Sequence, residues 1–493
     1  MTDTVDNLTV PLSTALALLA RMGDLSMGQP IDHSEQAAAC AAWLAREAGA
    51  DVAACVQVAL LRWVGCTANA DNIAALLDDD VAGRRAMLAL RPDKIGLRLP
   101  LPEARQAGKQ ASDIHCEVAS LVATMLGLSP DVARALGHVF ERWDGGGYSQ
   151  LGGGDAIPLA TRVAVLASDM EILSREYGSE LGIAMLRTHG DGTHDPALLA
   201  LLEQGWKAGA EPKEPMPRPP GARDPGGPAA GLTQAELLPD AARHVPLALV
   251  ADLCDLKLAW LVGHSRAMAG SAAAAAQALG IAPAPVARAA LLQGLGRVAI
   301  PQRVWNAAGT LNSAQWEQVR LYPYRTARAL GSLRDLAEEA ELASHIGERL
   351  DGSGYYRGAG GATALAARIL PAASCWLALR AARPWRGAFD ADTAAAQLQG
   401  DVQVGRLDGQ VVAAMLGQPA PVAAARAGSL LSPRETEVLA VIARGMSNKE
   451  AARQLGLSPS TVRTHMENLF RKLECNSRAA ATLKAAALGL IGS

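Results

Sequence analysis

Residues Ser447–Leu473 read SNKEAARQLGLSPSTVRTHMENLFRKL and contain the start and stop signals of two helices. Ser447 and Glu450 form a capping box, in which each side chain satisfies a backbone amide of the other residue. Ser458 begins a second helix with a proline in its first turn, where a missing amide hydrogen costs nothing. Gly456 stands between the two helices and suits the left-handed turn that ends the first one. The spacing predicts a helix, a tight turn and a second helix.

The second helix, predicted over Pro459–Leu473, has one apolar and one polar face. Apolar residues recur at three- and four-residue spacing and are expected in the core, namely Val462, Met466, Leu469 and Leu473. The other face carries Thr461, Arg463, Thr464, His465, Glu467, Asn468 and Lys472. A helix-turn-helix places such a face in the major groove of DNA, so these residues are candidate DNA contacts. For Arg471 and Lys472 a solvated surface role explains the sequence equally well.

The surrounding segment Leu431–Leu490 closely resembles the LuxR-type helix-turn-helix family. The matching residues are Glu435, Gly445, Asn448, Lys449, Glu450, Ala452, Leu455, Ser458, Thr461, Val462, His465, Lys472, Leu473, Ser477 and Arg478. The resemblance implies that Arg463 and Thr464 read base edges and that Lys449, Thr461 and Lys472 contact phosphates. Glu467 departs from the basic or small residue that some members carry there.

Cap signals predict two more helices in this segment, one after the capping box of Ser432 and Glu435 and one after Ser477. The segment is therefore expected to be a four-helix DNA-binding domain. A four-helix protein-interaction module is the alternative.

Charge is unevenly distributed along the chain. The net charge is -3, but the segment 429–493 contains nine Lys and Arg against five Glu and no Asp. That segment is +4, which leaves -7 on the rest of the chain. A nucleic-acid partner is therefore indicated for the C-terminal segment alone. Alanine is the most frequent apolar residue of the chain, which favours helix, and an all-α fold is predicted.

Proline-rich stretches divide the chain. Residues 211–230 contain seven prolines, and a shorter break lies at 417–429. Proline cannot continue a helix, and one hydrophobic core rarely exceeds about 250 to 300 residues. The predicted organisation is a helical bundle at 1–206, a linker at 207–235, a second bundle at 236–416, a linker at 417–428 and the basic domain at 429–493.

The two bundles are predicted to be copies of one another. ERWDGGGY at Glu141–Tyr148 returns as ERLDGSGY at Glu348–Tyr355. Further upstream the offset between the copies is larger, and it pairs His33 with His264. Matching segments that occur in the same order indicate an internal duplication.

Each copy resembles the HD-GYP family of helical, metal-dependent phosphohydrolases, members of which hydrolyse cyclic dinucleotides. The resemblance rests on the histidine of the first helix, on the ERxDGxGY loop and on LAxR at 159–162 and 365–368. It implies metals held by His and Asp that turn a bound water into hydroxide.

Within the ERxDGxGY loops we expect a tight turn. Gly147 and Gly354 are predicted to adopt positive φ. Arg162 and Arg368 are predicted to pair with the loop carboxylates of Asp144 and Asp351.

Most of the implied metal ligands are missing from both copies. The adjacent His-Asp pair is replaced by Arg62-Trp63 and Gln293-Gly294, and the His pair before the loop by Val139-Phe140 and Ile346-Gly347. His33, His115 and His264 remain as vestigial ligands, whereas a metal site usually needs at least three ligands. The sequence therefore predicts inactive bundles, no metal or other cofactor, and a chain that is not an enzyme.

The predicted function is a DNA-binding transcriptional regulator with an inactive HD-GYP-derived sensory or scaffold region. A homodimer on double-stranded DNA is expected, because one such domain contacts a half-site. A small-molecule or protein signal is left open. The alternatives are a metal-dependent phosphohydrolase or cyclic-dinucleotide phosphodiesterase with non-standard ligands, and a sensor that binds a nucleotide without cleaving it.

A cytoplasmic location without a membrane segment is expected. The N-terminus MTDTVD lacks the positive charge of a secretory signal, and the seven widely spaced cysteines do not suggest a disulfide framework. Charged residues interrupt the apolar runs.

Overall fold

The computed structural model describes residues 5, 7–148, 152–188, 192–207, 238, 240–417, 431, 433–488 and 490–491. Within these residues helices dominate, and the strands are limited to Thr9–Pro11 (β1) and His244–Pro246 (β2). The predicted all-α fold is confirmed. Both predicted linkers lie almost wholly outside the described residues. The chain divides into two compact units, Pro11–Val245 and Met1–Val10 with Pro246–Ser493.

The unit Pro11–Val245, here called the first body, is a helical bundle. Its helices are α1 (Leu12–Ser26), α2 (His33–Glu47), α3 (Val52–Leu61), α4 (Ala70–Leu76), α5 (Ala82–Leu88), α6 (Leu101–Met125), α7 (Pro130–Leu136), α8 (Leu159–Tyr177), α9 (Ser179–Thr188) and α10 (Pro196–Lys207). Helix α2 packs against α3 and α8. Its fully buried Ala37, Ala41 and Ala45 recur every four residues and let the neighbouring helices approach closely.

In the other unit, residues 246–417 form a second helical bundle, here called the second body. Its helices are α11 (Ala248–Asp255), α12 (His264–Ala278), α13 (Pro283–Leu292), α14 (Gln302–Trp305), α15 (Ser313–Arg320), α16 (Tyr322–Gly331), α17 (Ala337–Ser344), α18 (Leu365–Arg380), α19 (Ala391–Gln403) and α20 (Gly409–Leu416). Helix α12 packs against α13 and α18 through buried alanines.

One pair of hydrogen bonds recurs in both bodies. In the second body the amide and hydroxyl of Ser265, at the start of α12, donate to the carboxylate of Asp255 over 2.7 and 2.8 Å. In the first body the amide and hydroxyl of Ser34 donate to Asp24 over 3.1 and 2.6 Å. The two pairs are related by the same sequence offset that pairs the upstream histidines, although the duplication itself stays a prediction.

A close helix contact also recurs in both bodies. A Cβ atom added at Gly65 would overlap the carbonyl oxygen of His115 on α6. A Cβ atom added at Gly296 would overlap the carbonyl oxygen of Tyr322 on α16. Glycine has no Cβ atom. It therefore allows the turn after α3 to pack against the backbone of α6, and the turn after α13 to pack against the backbone of α16.

The C-terminal domain contains four helices, α21 (Pro433–Ala443), α22 (Asn448–Leu455), α23 (Pro459–Leu473) and α24 (Arg478–Ala487). The capping box of Ser447 and Glu450, the left-handed φ of Gly456 and the Ser458 and Ser477 caps are confirmed. The remaining predicted cap, Ser432, lies outside the described residues. Val462, Met466, Leu469 and Leu473 are buried as predicted.

The C-terminal domain packs against the second body. Helix α24 lies against α11. At the end of α21, a Cβ atom added at Gly445 would come within 2.7 Å of the Ala259 Cβ atom. The candidate DNA-binding domain therefore packs against α11 and the turn that follows it.

Among the described residues, no single helix is long and apolar enough to cross a membrane. One bent pair, Val52–Cys66 with Ala70–Leu76, reaches that length and composition only when taken together across a 66° bend.

We expect Gly296→Ala to destabilise the second body by about 1 to 3 kcal/mol, because the new methyl group would overlap backbone atoms of α16. Gly270→Ala is the matched control, since Gly270 lies within α12 and a Cβ atom there meets nothing within 4 Å. That substitution should stabilise the protein by up to about 1 kcal/mol. Urea unfolding of the full chain measures both, and equal stability of the two variants would contradict the contact.

Candidate functional site

The first body encloses a network of buried polar side chains at the place where the sequence suggested vestigial ligands. His33, at the start of α2, uses both ring nitrogens: Nδ1 pairs with Glu171, and Nε2 lies 3.1 Å from the Ser168 hydroxyl. The indole of Trp63 donates to the same Nε2 atom over 3.3 Å. Burial alone would lower the pKa of His33, but the hydrogen bond and charge of Glu171 outweigh burial and raise it. His33 is therefore a structural partner of α8.

Arg62 stands where the HD-GYP resemblance predicts a histidine, and an acid balances its charge. The Arg62 guanidinium donates to Asp169 Oδ1 over 2.7 Å and to the carbonyl oxygen of Val165 over 3.2 Å. His194 lies 3.5 Å from the other Asp169 oxygen. Because the side chain of Arg62 is 5% exposed, loss of Asp169 would leave a buried charge without its partner.

Both ring nitrogens of His115 also have partners. Its Nε2 atom lies 2.8 Å from the carbonyl oxygen of Arg62, and its Nδ1 atom lies 3.4 Å from the thiol of Cys66. Burial lowers the pKa of His115 to about 3. The imidazole is therefore neutral at physiological pH.

In the second body, buried cations replace this balanced network. His264 begins α12, and burial, Arg297 and Arg383 hold its pKa well below the usual range. Arg297 donates to the side-chain oxygen of Gln293 over 2.8 Å and lies 4.0 Å from Asp255. Burial raises the pKa of Asp255 to about 7. The positive charge is therefore only partly compensated.

The ERxDGxGY loops have a different geometry from the one predicted. Positive φ occurs at Gly145 and Gly352, not at Gly147 and Gly354. The latter two are required for close packing, because an added Cβ atom at Gly354 would overlap the amide nitrogen of Arg349.

The predicted partners of the two LAxR arginines were also wrong. Arg162 pairs with Asp155 and Asp195, and Arg368 pairs with Asp408. Each arginine thus binds an acid next to the N-terminus of a later helix, α10 or α20, where the acid also accepts backbone amides.

The DNA-binding candidates lie on α22 and α23. Lys449, Arg463, Thr464 and Lys472 are exposed, while Thr461, His465 and Asn468 are partly exposed. Arg463 forms a 3.0 Å ion pair with Glu467, and Lys472 forms a 2.6 Å ion pair with Glu435. These side chains are therefore at least partly accessible to solvent, and Arg463 is 75% exposed.

Glu171, Arg297 and Arg383 were not predicted from the sequence. Glu171 lies 138 residues from its partner His33, so no local pattern connects the two. Arg297 could have been found from the sequence. The offset that pairs His33 with His264 also pairs Cys66 with Arg297, so a charged residue appears at this position in only one copy.

Two known families match parts of this chain. Residues 248–411 match the family described as "HD domain", and residues 429–485 match "Bacterial regulatory proteins, luxR family". The 3'3'-cGAMP-specific phosphodiesterase 3 of Vibrio cholerae is 26% identical over 79% of this chain and 91% of its own length. A crystal structure of a cyclic GMP-AMP specific phosphodiesterase of V. cholerae shares the fold, with a TM-score of 0.56 and 21% identity over 83% of this chain and 98% of that one.

The C-terminal domain has its own relatives. The nitrate/nitrite response regulator protein NarP of Escherichia coli is 49% identical over 11% of this chain and 26% of its own length. The chain therefore contains an HD domain followed by a LuxR-family regulatory domain. The family comparison supports one HD domain and does not extend to a second copy.

The prediction that the chain is not an enzyme is contradicted. Its relative over most of the chain is a phosphodiesterase, and so is the solved structure with the same fold. The absence of the family's metal ligands from the sequence does not by itself establish inactivity. The second body is an HD phosphodiesterase-like domain.

The residues present do not fit the metals that the HD family implies. In the described ranges no group of three or more His, Cys, Asp or Glu side chains is arranged to hold a metal ion. His33 and His115 have both ring nitrogens engaged, and the positive charges of Arg297 and Arg383 lower the pKa of His264. We therefore assign no step to a metal.

We expect Glu171→Gln to lower the pKa of His33, because burial then acts without the opposing carboxylate. The folded-state pKa of His33 is raised above its ordinary 6.5, so the pair stabilises fully below pH 6.5 and loses this contribution as pH rises through the folded pKa. NMR titration of the imidazole measures the shift.

Glu180→Gln on the exposed face of α9 is the control and should leave the His33 titration unchanged. An unaltered His33 pKa in the Glu171 variant would rule out this pairing.

Proposed function

We propose that the protein is a DNA-binding transcriptional regulator whose HD phosphodiesterase-like domain controls the LuxR-family domain in response to a cyclic dinucleotide. The observation that carries the proposal is the packing of the DNA-binding domain on α11 and on Ala259, next to the buried polar site of the second body.

The DNA-binding role rests on the polar face of α23. Arg463 and Thr464 lie one turn inside the helix, where a recognition helix meets base edges. Lys449, Thr461 and Lys472 flank this face and are assigned to phosphates, while His465 and Asn468 lie beside it. The ion pair of Arg463 with Glu467 is exposed on both sides, so exchanging this carboxylate for DNA costs little. The partner of Lys472, Glu435, is only 6% exposed, so Lys472 would have to contact a phosphate while it keeps this pair.

The ligand class follows from the relatives. Two phosphodiesterases named for 3'3'-cGAMP align with this chain, the second at 31% identity over 33% of this chain and 39% of its own length. A cyclic dinucleotide carries phosphates and two aromatic bases, and its phosphates suit a domain that contains several arginines.

A second candidate function is hydrolysis of that ligand, and the relatives over most of the chain favour it. The purified full chain is incubated with 3'3'-cGAMP, and the nucleotides are separated by chromatography. Linear products would establish a phosphodiesterase, whereas unchanged 3'3'-cGAMP that still binds would leave the domain as a sensor.

The protein acts as a homodimer in the cytoplasm under this proposal. One helix-turn-helix covers a half-site, so two copies are needed for a two-fold symmetric operator. The seven cysteines are free in the described structure, in keeping with a reducing compartment where DNA is the partner.

We expect Arg463→Ala to weaken binding to a duplex selected from a randomised library by about 1 to 3 kcal/mol and to relax preference at one position. Fluorescence anisotropy of the full chain measures the change. Arg320→Ala is the matched control, because Arg320 is also an exposed helical arginine in an ion pair with a glutamate, here on α15.

The assignment of base contact fails if Arg463→Ala and Arg320→Ala bind with equal affinity and equal sequence preference. Lys449→Ala adds a separate readout, because loss of a phosphate contact should reduce the salt dependence by about one counterion without changing preference.

A further inference from the structure

The second body has a small open cleft beside its ERLDGSGY loop. The cleft lies between that loop, the first half of α18 and the residues just before α20, and it contains about 270 Å³ of empty space, its mouth included. Drug-sized ligands usually occupy about 300 to 1,000 Å³, so this cleft suits a smaller group. The acidic and arginine side chains of its lining are Glu348, Arg349, Arg368, Arg406 and Asp408.

The two carboxylates of the lining already accept hydrogen bonds. Both oxygens of Glu348 accept backbone amides, from Arg357 over 2.7 Å and from Ala359 over 2.9 Å. Asp408 accepts the Arg368 guanidinium over 2.9 Å and two backbone amides at the start of α20. Both acids are therefore used within the loop and the helix cap, and the guanidinium that they neutralise is that of Arg368.

Two other guanidinium groups of the lining have weak acidic partners or none. Arg349 donates to a backbone carbonyl over 2.9 Å and to the Cys375 sulfur over 3.2 Å, and no carboxylate in the described ranges forms an ion pair with it. Arg406 lies 3.4 Å from Asp401 and 3.8 Å from Asp351, and its side chain is 53% exposed. Exposed ion pairs contribute little to stability, so an incoming anion can replace them at low cost.

In the first body a larger side chain occupies the corresponding position. Trp143 stands in its ERWDGGGY loop where the second body has Leu350. The backbone amides of both residues donate over 3.0 Å, Trp143 to the carbonyl oxygen of Thr193 and Leu350 to that of Arg406. The Trp143 ring covers Arg162, whose guanidinium carbon lies 5.4 Å from the ring centre. The second body therefore has a smaller side chain and an additional cation at this position.

We propose that the cleft binds the oxyanion group of a small metabolite, a phosphate or a carboxylate, between Arg349 and Arg406. A planar guanidinium can donate two parallel hydrogen bonds to either group. A cyclic dinucleotide exceeds the volume of the cleft, so the inference does not depend on the ligand in the proposed function.

The cleft also adjoins the last helix of the second body. Arg406 and Asp408 directly precede α20, and the described part of the chain resumes after that helix with the C-terminal domain. An anion bound to Arg406 therefore adds a contact at the start of the helix that leads toward the DNA-binding domain.

The test is equilibrium dialysis of the full chain against radiolabelled inorganic phosphate and, separately, radiolabelled malonate, at constant ionic strength set with chloride. Arg349→Gln and Arg406→Gln should each lower the affinity for the bound probe about tenfold, since each loses a charge-assisted hydrogen bond. Arg334→Gln, an exposed arginine of the same body outside the cleft lining, is the matched control and should bind as wild type does.

Leu350→Trp tests the site without removing a charge. It introduces the side chain that the first body carries at this point, so the fold should tolerate it while the ring fills the cleft. Binding of both probes should fall below detection, with the thermal unfolding temperature unchanged or raised.

Binding of either probe with these losses supports the site, and the probe that binds identifies the group. No saturable binding of either probe by wild type overturns the proposal. Equal affinities of wild type, both arginine variants and Leu350→Trp overturn it as well. None of these results alters DNA binding or 3'3'-cGAMP binding, which are measured separately.

Discussion

The hydrogen bonds from Ser265 to the buried carboxylate of Asp255 join α11 to the start of α12, and much of the second body depends on this junction. An acid with two donors at a helix N-terminus fixes both the direction and the depth of that helix. The same acid is the nearest counter-charge to Arg297, and its helix carries the C-terminal domain. The hydrogen-bonded pair of Asp255 and Ser265 therefore lies between Arg297 and the C-terminal domain.

The first body contains the same junction, formed by Asp24 and Ser34, but it surrounds a different core. There two buried cationic side chains have acidic partners: Glu171 pairs with His33, and Asp169 pairs with Arg62. Removing one partner of such a pair would leave an uncompensated buried charge. The contrast in charge between the two bodies, more than their similar helices, suggests where an anionic ligand binds.

The sequence predicted most accurately the helix boundaries that depend on residues close together in the chain. Helix α23 begins and ends at the predicted residues because Ser458, Pro459 and the apolar spacing act within a few positions. Long-range partners were not predictable. Arg162 and Arg368 pair with acids 33 and 40 residues away, and no local pattern distinguishes these acids from the carboxylates of the loops. The enzyme prediction was wrong because it equated missing family ligands with missing activity.

The central claim is that the HD domain and the LuxR-family domain work together as one regulator. The most direct measurement is the affinity of the full chain for its selected DNA duplex, by anisotropy, with and without saturating 3'3'-cGAMP. The account predicts that the dissociation constant changes by about fivefold or more, the lower end of typical coupling between two sites. Superimposable binding curves, from protein shown by titration to be saturated with 3'3'-cGAMP, would contradict it.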